Sequence, residues 1–188
     1  MFIDRAAGLI LGGYEPGKRV PAIYGIGGKR ERDDDTVYTT AFREAFEELL
    51  AVQLTAAQRA RLIGLRRAQW IEEHGGYIMI HYTFADLGAF LQTLARAGVR
   101  SLLYGGACPT TVADLVLKRE YRASTEMQQM CLLPLVSPGP TISADLRGDI
   151  QRIVAATATT KIPSDGRENG SRVIHASASA APAAGGGR

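Results

Sequence analysis

Three glutamates, three and four residues apart, stand in the run Arg43-Glu44-Ala45-Phe46-Glu47-Glu48. On a helix, at ~100° per residue, Glu44, Glu47 and Glu48 fall within an arc of ~100° on one face. Carboxylates so close repel one another, and like charges four apart destabilise a helix. A hard divalent cation removes that cost, and an all-oxygen donor set suits Mg2+ or Mn2+. The competing reading is a solvated acidic face with Arg43 paired to Glu47, the usual meaning of a charge run. Position argues for the cation. Gly27-Gly28-Lys29-Arg30-Glu31 lies upstream, after an apolar run. Glycine lets a backbone approach a phosphate closely, and a helix N-terminus favours anions. Gly28, Lys29 and Arg30 are therefore candidate substrate contacts, with plain solvation the alternative for the two cations.

The helix that must hold these carboxylates is predicted over residues 36–50. That stretch has no Gly or Pro, and Asp33, Asp34 and Asp35 precede it as possible N-caps. Val37, Ala41, Ala45 and Leu49 recur four apart as its apolar stripe. Upstream, residues 6–11 read as a strand ended by Gly12-Gly13. Residues 14–19 read as a turn around Pro16 and Gly17, and residues 20–26 as a short edge strand interrupted by Pro21 and Gly25. Downstream, residues 55–62 read as a short helix. Residues 65–71 and 77–84 read as a hairpin around Gly75-Gly76, with Glu72, Glu73 and His74 at its tip. Residues 86–97 form a helix with Leu87, Phe90, Leu91 and Leu94 on one side, residues 110–130 hold further helical material, and residues 143–156 a last helix.

The 188 residues suit one domain, placed at 1–156, and a tail. From Thr157 onward Ala, Ser, Thr, Gly and Pro dominate. Such a segment has too little apolar bulk to offset its ordering entropy, so residues 157–188 are expected to be disordered. A net charge of +3 suits an anionic substrate without demonstrating nucleic-acid binding. Cys108 and Cys131 stand outside any CxxC pair, which argues against a cysteine zinc site. No apolar run approaches the ~20 residues of a membrane span, and the N-terminus lacks the pattern of a signal peptide. A cytoplasmic, reducing location is the default expectation.

The glycine and glutamate segments together resemble the signature of the Nudix hydrolases: Gly, five residues, Glu, seven residues, then Arg-Glu-U-x-Glu-Glu-x-Gly-U, with U bulky and aliphatic. Arg43, Glu44, Ala45, Glu47 and Glu48 match its second half, and Gly28 resembles its opening glycine. Three positions depart. Gly28 to Arg43 is one residue longer than usual, an aspartate (Asp34 or Asp35) replaces the first glutamate, and a leucine (Leu49 or Leu50) replaces the late glycine. The extra residue is expected within residues 30–36, because an insertion inside the helix would scatter the glutamates.

The resemblance implies an α/β fold, an α/β/α sandwich around a mixed sheet. It implies Glu47 and Glu48 as metal ligands, Glu44 as a further ligand or general base, and Arg43 as the residue that orients the glutamates, with Asp34 or Asp35 as its partner. The implied activity is metal-dependent hydrolysis of a diphosphate linkage in a nucleotide derivative. The segment is also similar to Nudix proteins of large DNA viruses, some of which remove mRNA caps, so capped RNA joins nucleoside diphosphate-linked small molecules as a substrate class. Inositol pyrophosphate is another within the same chemistry. The alternative is a noncatalytic Nudix-like module that binds a nucleotide or a protein. Oligomeric state is not legible.

Weaker candidates lie outside this segment. Glu72 or Glu73 could supply a base, though a solvated turn is the commoner reading. Trp70, Tyr77 and Tyr82 could stack on a base, against a role in the core. His81 reads as structural. Glu120 and Glu126 are further base candidates on a late helix, where Lys118, Arg119 and Arg122 are either RNA contacts or a solvated face.

Overall fold

The computed structural model describes residues 1–74 and 77–159, with side chains as far as residue 156. Gly75 and Gly76, where a turn is expected, and residues 160–188, most of the expected tail, lie outside the described residues. The strands are β1 (Phe2–Asp4), β2 (Leu9–Glu15), β3 (Ala22–Tyr24), β4 (Trp70–His74), β5 (Tyr77–Thr83) and β6 (Gln129–Pro134). The helices are α1 (Val37–Leu50), α2 (Ala56–Leu65), α3 (Phe84–Arg96), α4 (Val112–Leu117) and α5 (Ala144–Thr159). The strands form one sheet in the order β3-β2-β1-β5-β4, with β6 pairing β2 from Leu9↔Pro134 to Tyr14↔Gln129. β1 and β5 run parallel and the other paired strands antiparallel, so the sheet is mixed.

Successive strand residues point to opposite faces, and here they feed two cores. Phe2, Leu11, Ile80, Tyr82 and Met130 join Phe42, Phe46 and Leu49 of α1, Leu62 of α2, Phe90 of α3 and Leu115 of α4. Ile3, Ile10 and Leu133 join Leu146, Ile150 and Ile153 of α5. Helices therefore cover both faces. Among the described residues no helix is long and apolar enough to cross a membrane.

Threonine side chains start α1 to α4, Thr111 of α4 accepting from the Asp114 N–H. Thr36 accepts from the Thr39 N–H, and Thr55 and Thr83 form reciprocal capping boxes with Gln58 and Asp86. Thr36, rather than any of the three preceding aspartates, is thus the N-cap of α1.

Several expectations need correction. The strand read at residues 6–11 runs instead to Glu15, because Gly12 and Gly13 admit close neighbours. A Cβ at Gly13 would meet Met127 Sδ at 1.8 Å, and one at Gly12 would meet the Tyr24 carbonyl at 2.9 Å. Glu72, Glu73 and His74 lie in β4, paired with Met79, Ile78 and Tyr77, and not in a turn. The further helical material expected within residues 110–130 is α4, and it ends at Leu117, short of the late helix on which Glu120 and Glu126 were placed. Backbone bonds to distant partners replace it downstream: the Glu120 N–H donates to the Leu103 carbonyl and the Gln128 N–H to the Tyr14 carbonyl. Glu120 and Glu126, with Lys118, Arg119 and Arg122, therefore stand on a loop. β1 and β6 were not foreseen, and α5 extends three residues into the segment expected to be disordered.

Candidate active site

α1 is continuous from Val37 to Leu50, so Arg43, Glu44, Glu47 and Glu48 stand on one helix, and a loop without helix or strand joins it to Gly28. Arg43 is 8% exposed and gathers the loop around its guanidinium. It donates to Asp34 Oδ2 at 2.9 Å and to the Lys29 carbonyl at 2.7 Å. It also lies 2.9 Å from Glu44 Oε1, 3.3 Å from Glu47 Oε2 and 3.4 Å from Glu31 Oε1. Asp34 is therefore its aspartate partner, while Asp35 is exposed. Hydrogen bonds from Arg43 outweigh burial and, with the Glu31 N–H, hold the Asp34 carboxyl down to about 2. The pair raises the Arg43 pKa. Both groups stay ionised at neutral pH, and the loop is clamped to the helix.

That clamp presents Gly27–Arg30 against the glutamates. The Gly27 N–H donates to Glu48 Oε2 at 2.9 Å. Gly28 lies so close to Glu44 that a Cβ there would meet its carboxyl carbon at 2.1 Å. Glu44 and Glu48 both line a cleft of about 1180 Å³, with Gly27, Gly28, Lys29 and Arg30 on the same wall. Glu47 is not among the lining residues. Its carboxylate is a third exposed and turned to Arg43. Arg30 directs its guanidinium back to the Asp34 and Asp35 carbonyls.

Burial pushes the Glu48 carboxyl up to about 8, and Glu15, Glu44 and Glu126 add to the rise against the opposing Gly27 N–H bond. Among the described residues no Lys, Arg or His forms an ion pair with Glu48. Glu15 and Glu126 line the same cleft and share Lys18, whose Nζ is 3.1 Å from one and 3.7 Å from the other. Sequence reading missed Glu15 because Pro16 and Gly17 made its surroundings resemble a turn. The signal was its place in the β2 alternation beyond the two glycines. Among the described residues no three His, Cys, Asp or Glu side chains are gathered into a metal cage.

The weaker candidates scatter. Trp70 is stacked on His81 at 3.9 Å, with the Arg5 guanidinium over it at 3.9 Å. Tyr82 is core, against Phe42 and Phe90. Tyr77 lines the cleft, 44% exposed, and donates its hydroxyl to Asp149 at 2.9 Å. Glu72 pairs with Arg152 of α5, 3.5 Å away. Arg119 turns inward onto carbonyls of α1, whereas Lys118 pairs with Asp114 and Arg122 with Glu120. No protein-family model, no curated protein and no solved structure matches the chain.

Proposed function

We propose that this chain is a Nudix-type, metal-dependent hydrolase of diphosphate linkages in nucleotide derivatives, and that its helices and mixed sheet make the α/β/α sandwich of that family. One observation carries the reading: the half-buried carboxylate of Glu48 shares a cleft wall with Glu44 and a Gly-Gly-Lys-Arg loop, and among the described residues no Lys, Arg or His side chain forms an ion pair with it. A carboxylate drawn partly out of water without a cation beside it is disfavoured as the anion, and a bound cation would restore its charge. The donor set fits Mg2+ or Mn2+. Mg2+ is usually held by one or two carboxylates together with substrate phosphates, so the lack of an all-protein cage is in keeping with it.

Glu44 and Glu48 hold the cation, and Glu47 can join them by leaving Arg43. The cation supplies charge neutralisation at the diphosphate and a lower pKa for the attacking water. Where Glu44 is not needed as a ligand, its carboxylate, packed on the Gly28 backbone, would accept a proton from water. Gly28 brings the loop backbone close to the glutamates with no side chain between them, and Lys29 supplies positive charge beside it. Arg43 contacts no substrate; it sets the position of Glu44 and of the loop together. Capped RNA and diphosphate-linked small molecules are the substrate classes to compare.

A noncatalytic nucleotide-binding module is the second reading, favoured by the turn of Glu47 toward Arg43. Mn2+ titration by water-proton relaxation, with and without a non-hydrolysable dinucleoside diphosphate, tests the site. Binding that is lost in Glu48→Gln supports both readings and turnover then separates them. A wild-type protein that binds no Mn2+ in either condition contradicts the metal-dependent reading.

A further inference from the structure

Residues 118–128 form a loop without helix or strand that brings Glu126 to the cleft. The Glu126 side chain is 80% exposed, and its ion pair with Lys18 spans 3.7 Å. So exposed and long a pair holds a side chain weakly. Where Glu126 stands is therefore decided by its backbone.

The backbone has a firm anchor at each end. Met127 fills the space that Gly13 leaves open, and the Gln128 N–H donates to the Tyr14 carbonyl. Arg119, at the other end, donates Nη1 to the Leu49 carbonyl at 2.7 Å and Nη2 to the Glu48 carbonyl at 3.0 Å. The same Nη2 donates to the Met127 carbonyl, next to Glu126. One guanidinium thus joins both ends of the loop to the last turn of α1. α1 ends on Ala51 in the left-handed region (φ 51°), without the glycine that commonly occupies it. Arg119 supplies donors for carbonyls of that last turn, where positive charge also suits the helix dipole. The Tyr104 hydroxyl, 3.1 Å from the Leu49 carbonyl, adds to the joint.

We infer that Arg119 is a positioning residue, which fixes the 118–128 loop to the C-terminal turn of α1 and so sets Glu126 in the lining of the cleft that holds Glu48. The inference rests on the cleft being the active site. The fork geometry is specific, since a lysine ammonium is a point charge and cannot span three separated carbonyls.

The test is a double-mutant cycle in the full chain, with Arg119→Lys, Glu126→Gln and the pair, read by Mn2+ affinity and by kcat on a diphosphate substrate. If Arg119 acts through Glu126, the Glu126→Gln effect shrinks by about fivefold in the Arg119→Lys background, because residues sharing one network are non-additive. A merely structural arginine gives additive effects, and additivity overturns the inference. Should Arg119→Lys fail to fold, the wild-type protein answers instead. The Arg119 Nε–H resonance is expected to shift on Mg2+ addition in wild type and not in Glu126→Gln, and the same shift in both overturns the inference. A wild type that neither binds Mn2+ nor turns over contradicts the proposed function and this inference together. A wild type that does both, with additive variants, contradicts the inference alone.

Discussion

Gly28 and Glu44 share one space: a Cβ on residue 28 would lie 2.1 Å from the Glu44 carboxyl carbon. The clash is with the far end of a flexible side chain, so Gly28→Ala is expected to displace the carboxylate and leave the fold standing. Displacement of a reacting group by an ångström costs on the order of 10²-fold in rate. Thermal unfolding of Gly28→Ala should stay close to that of wild type while kcat falls by about that factor. Unchanged kcat would show that Glu44 does no chemistry at the position the glycine leaves open.

Asp34 and Asp35 are adjacent in sequence and opposite in consequence. Asp34 is 3% exposed and holds Arg43, itself 8% exposed. Removing Asp34 takes from Arg43 its most buried carboxylate and from the Glu31 N–H its acceptor, at a cost of about 3 kcal/mol. Asp34→Ala should lose that much in urea unfolding, whereas exposed Asp35→Ala should stay within about 0.5 kcal/mol of wild type. Equal losses would mean that the loop is held by both.

Stability should depend on pH through His81. Burial pushes its pKa from 6.5 down to about 3, and the Arg5 charge nearby acts in the same direction. The folded imidazole is neutral between those values while the unfolded one is protonated, so the unfolded state binds the extra proton and stability falls as pH drops below 6.5. By pH 5 the loss is about 2 kcal/mol. Glu48 works the other way: its raised carboxyl pKa favours the fold at low pH and that contribution is lost as pH rises toward 8. Comparing wild type with His81→Phe isolates the histidine. The difference in unfolding free energy between the two should move by about 2 kcal/mol from pH 7 to pH 5, and a constant difference would contradict a buried neutral His81.

Local spacing carried the site a long way. The four-residue apolar stripe placed α1, and the acidic run before it left Asp34 and Asp35 as alternatives for the carboxylate beside Arg43. Choosing between them needed three dimensions, because only the fold decides which of two adjacent carboxylates is buried under Arg43. The region after α4 was misread for a related reason. Residues 118–128 have helix-compatible composition, yet their hydrogen bonds go to Leu103, Tyr14 and α1, far away in sequence. Tertiary partners override propensity there. β1 pairs over only three residues, too few for a period-two pattern to register. Arg119 looked like one of three solvated cations because nothing local distinguishes an inward arginine from an outward one. Gly13 looked like the end of a strand because Met127, which fills its vacant side, is far along the chain.

The most direct measurement is product release from a panel of diphosphate-linked nucleotides and capped RNA, with Mg2+ or Mn2+ and then with excess chelator, for wild type and Glu48→Gln. The expected result is cation-dependent cleavage of at least one diphosphate by wild type. The same reaction should fall by at least about 10²-fold in a folded Glu48→Gln protein, in line with loss of several kcal/mol of charge stabilisation. Cleavage that persists in chelator, or a Glu48→Gln protein as active as wild type at modest Mg2+, would contradict the metal-dependent reading of the cleft.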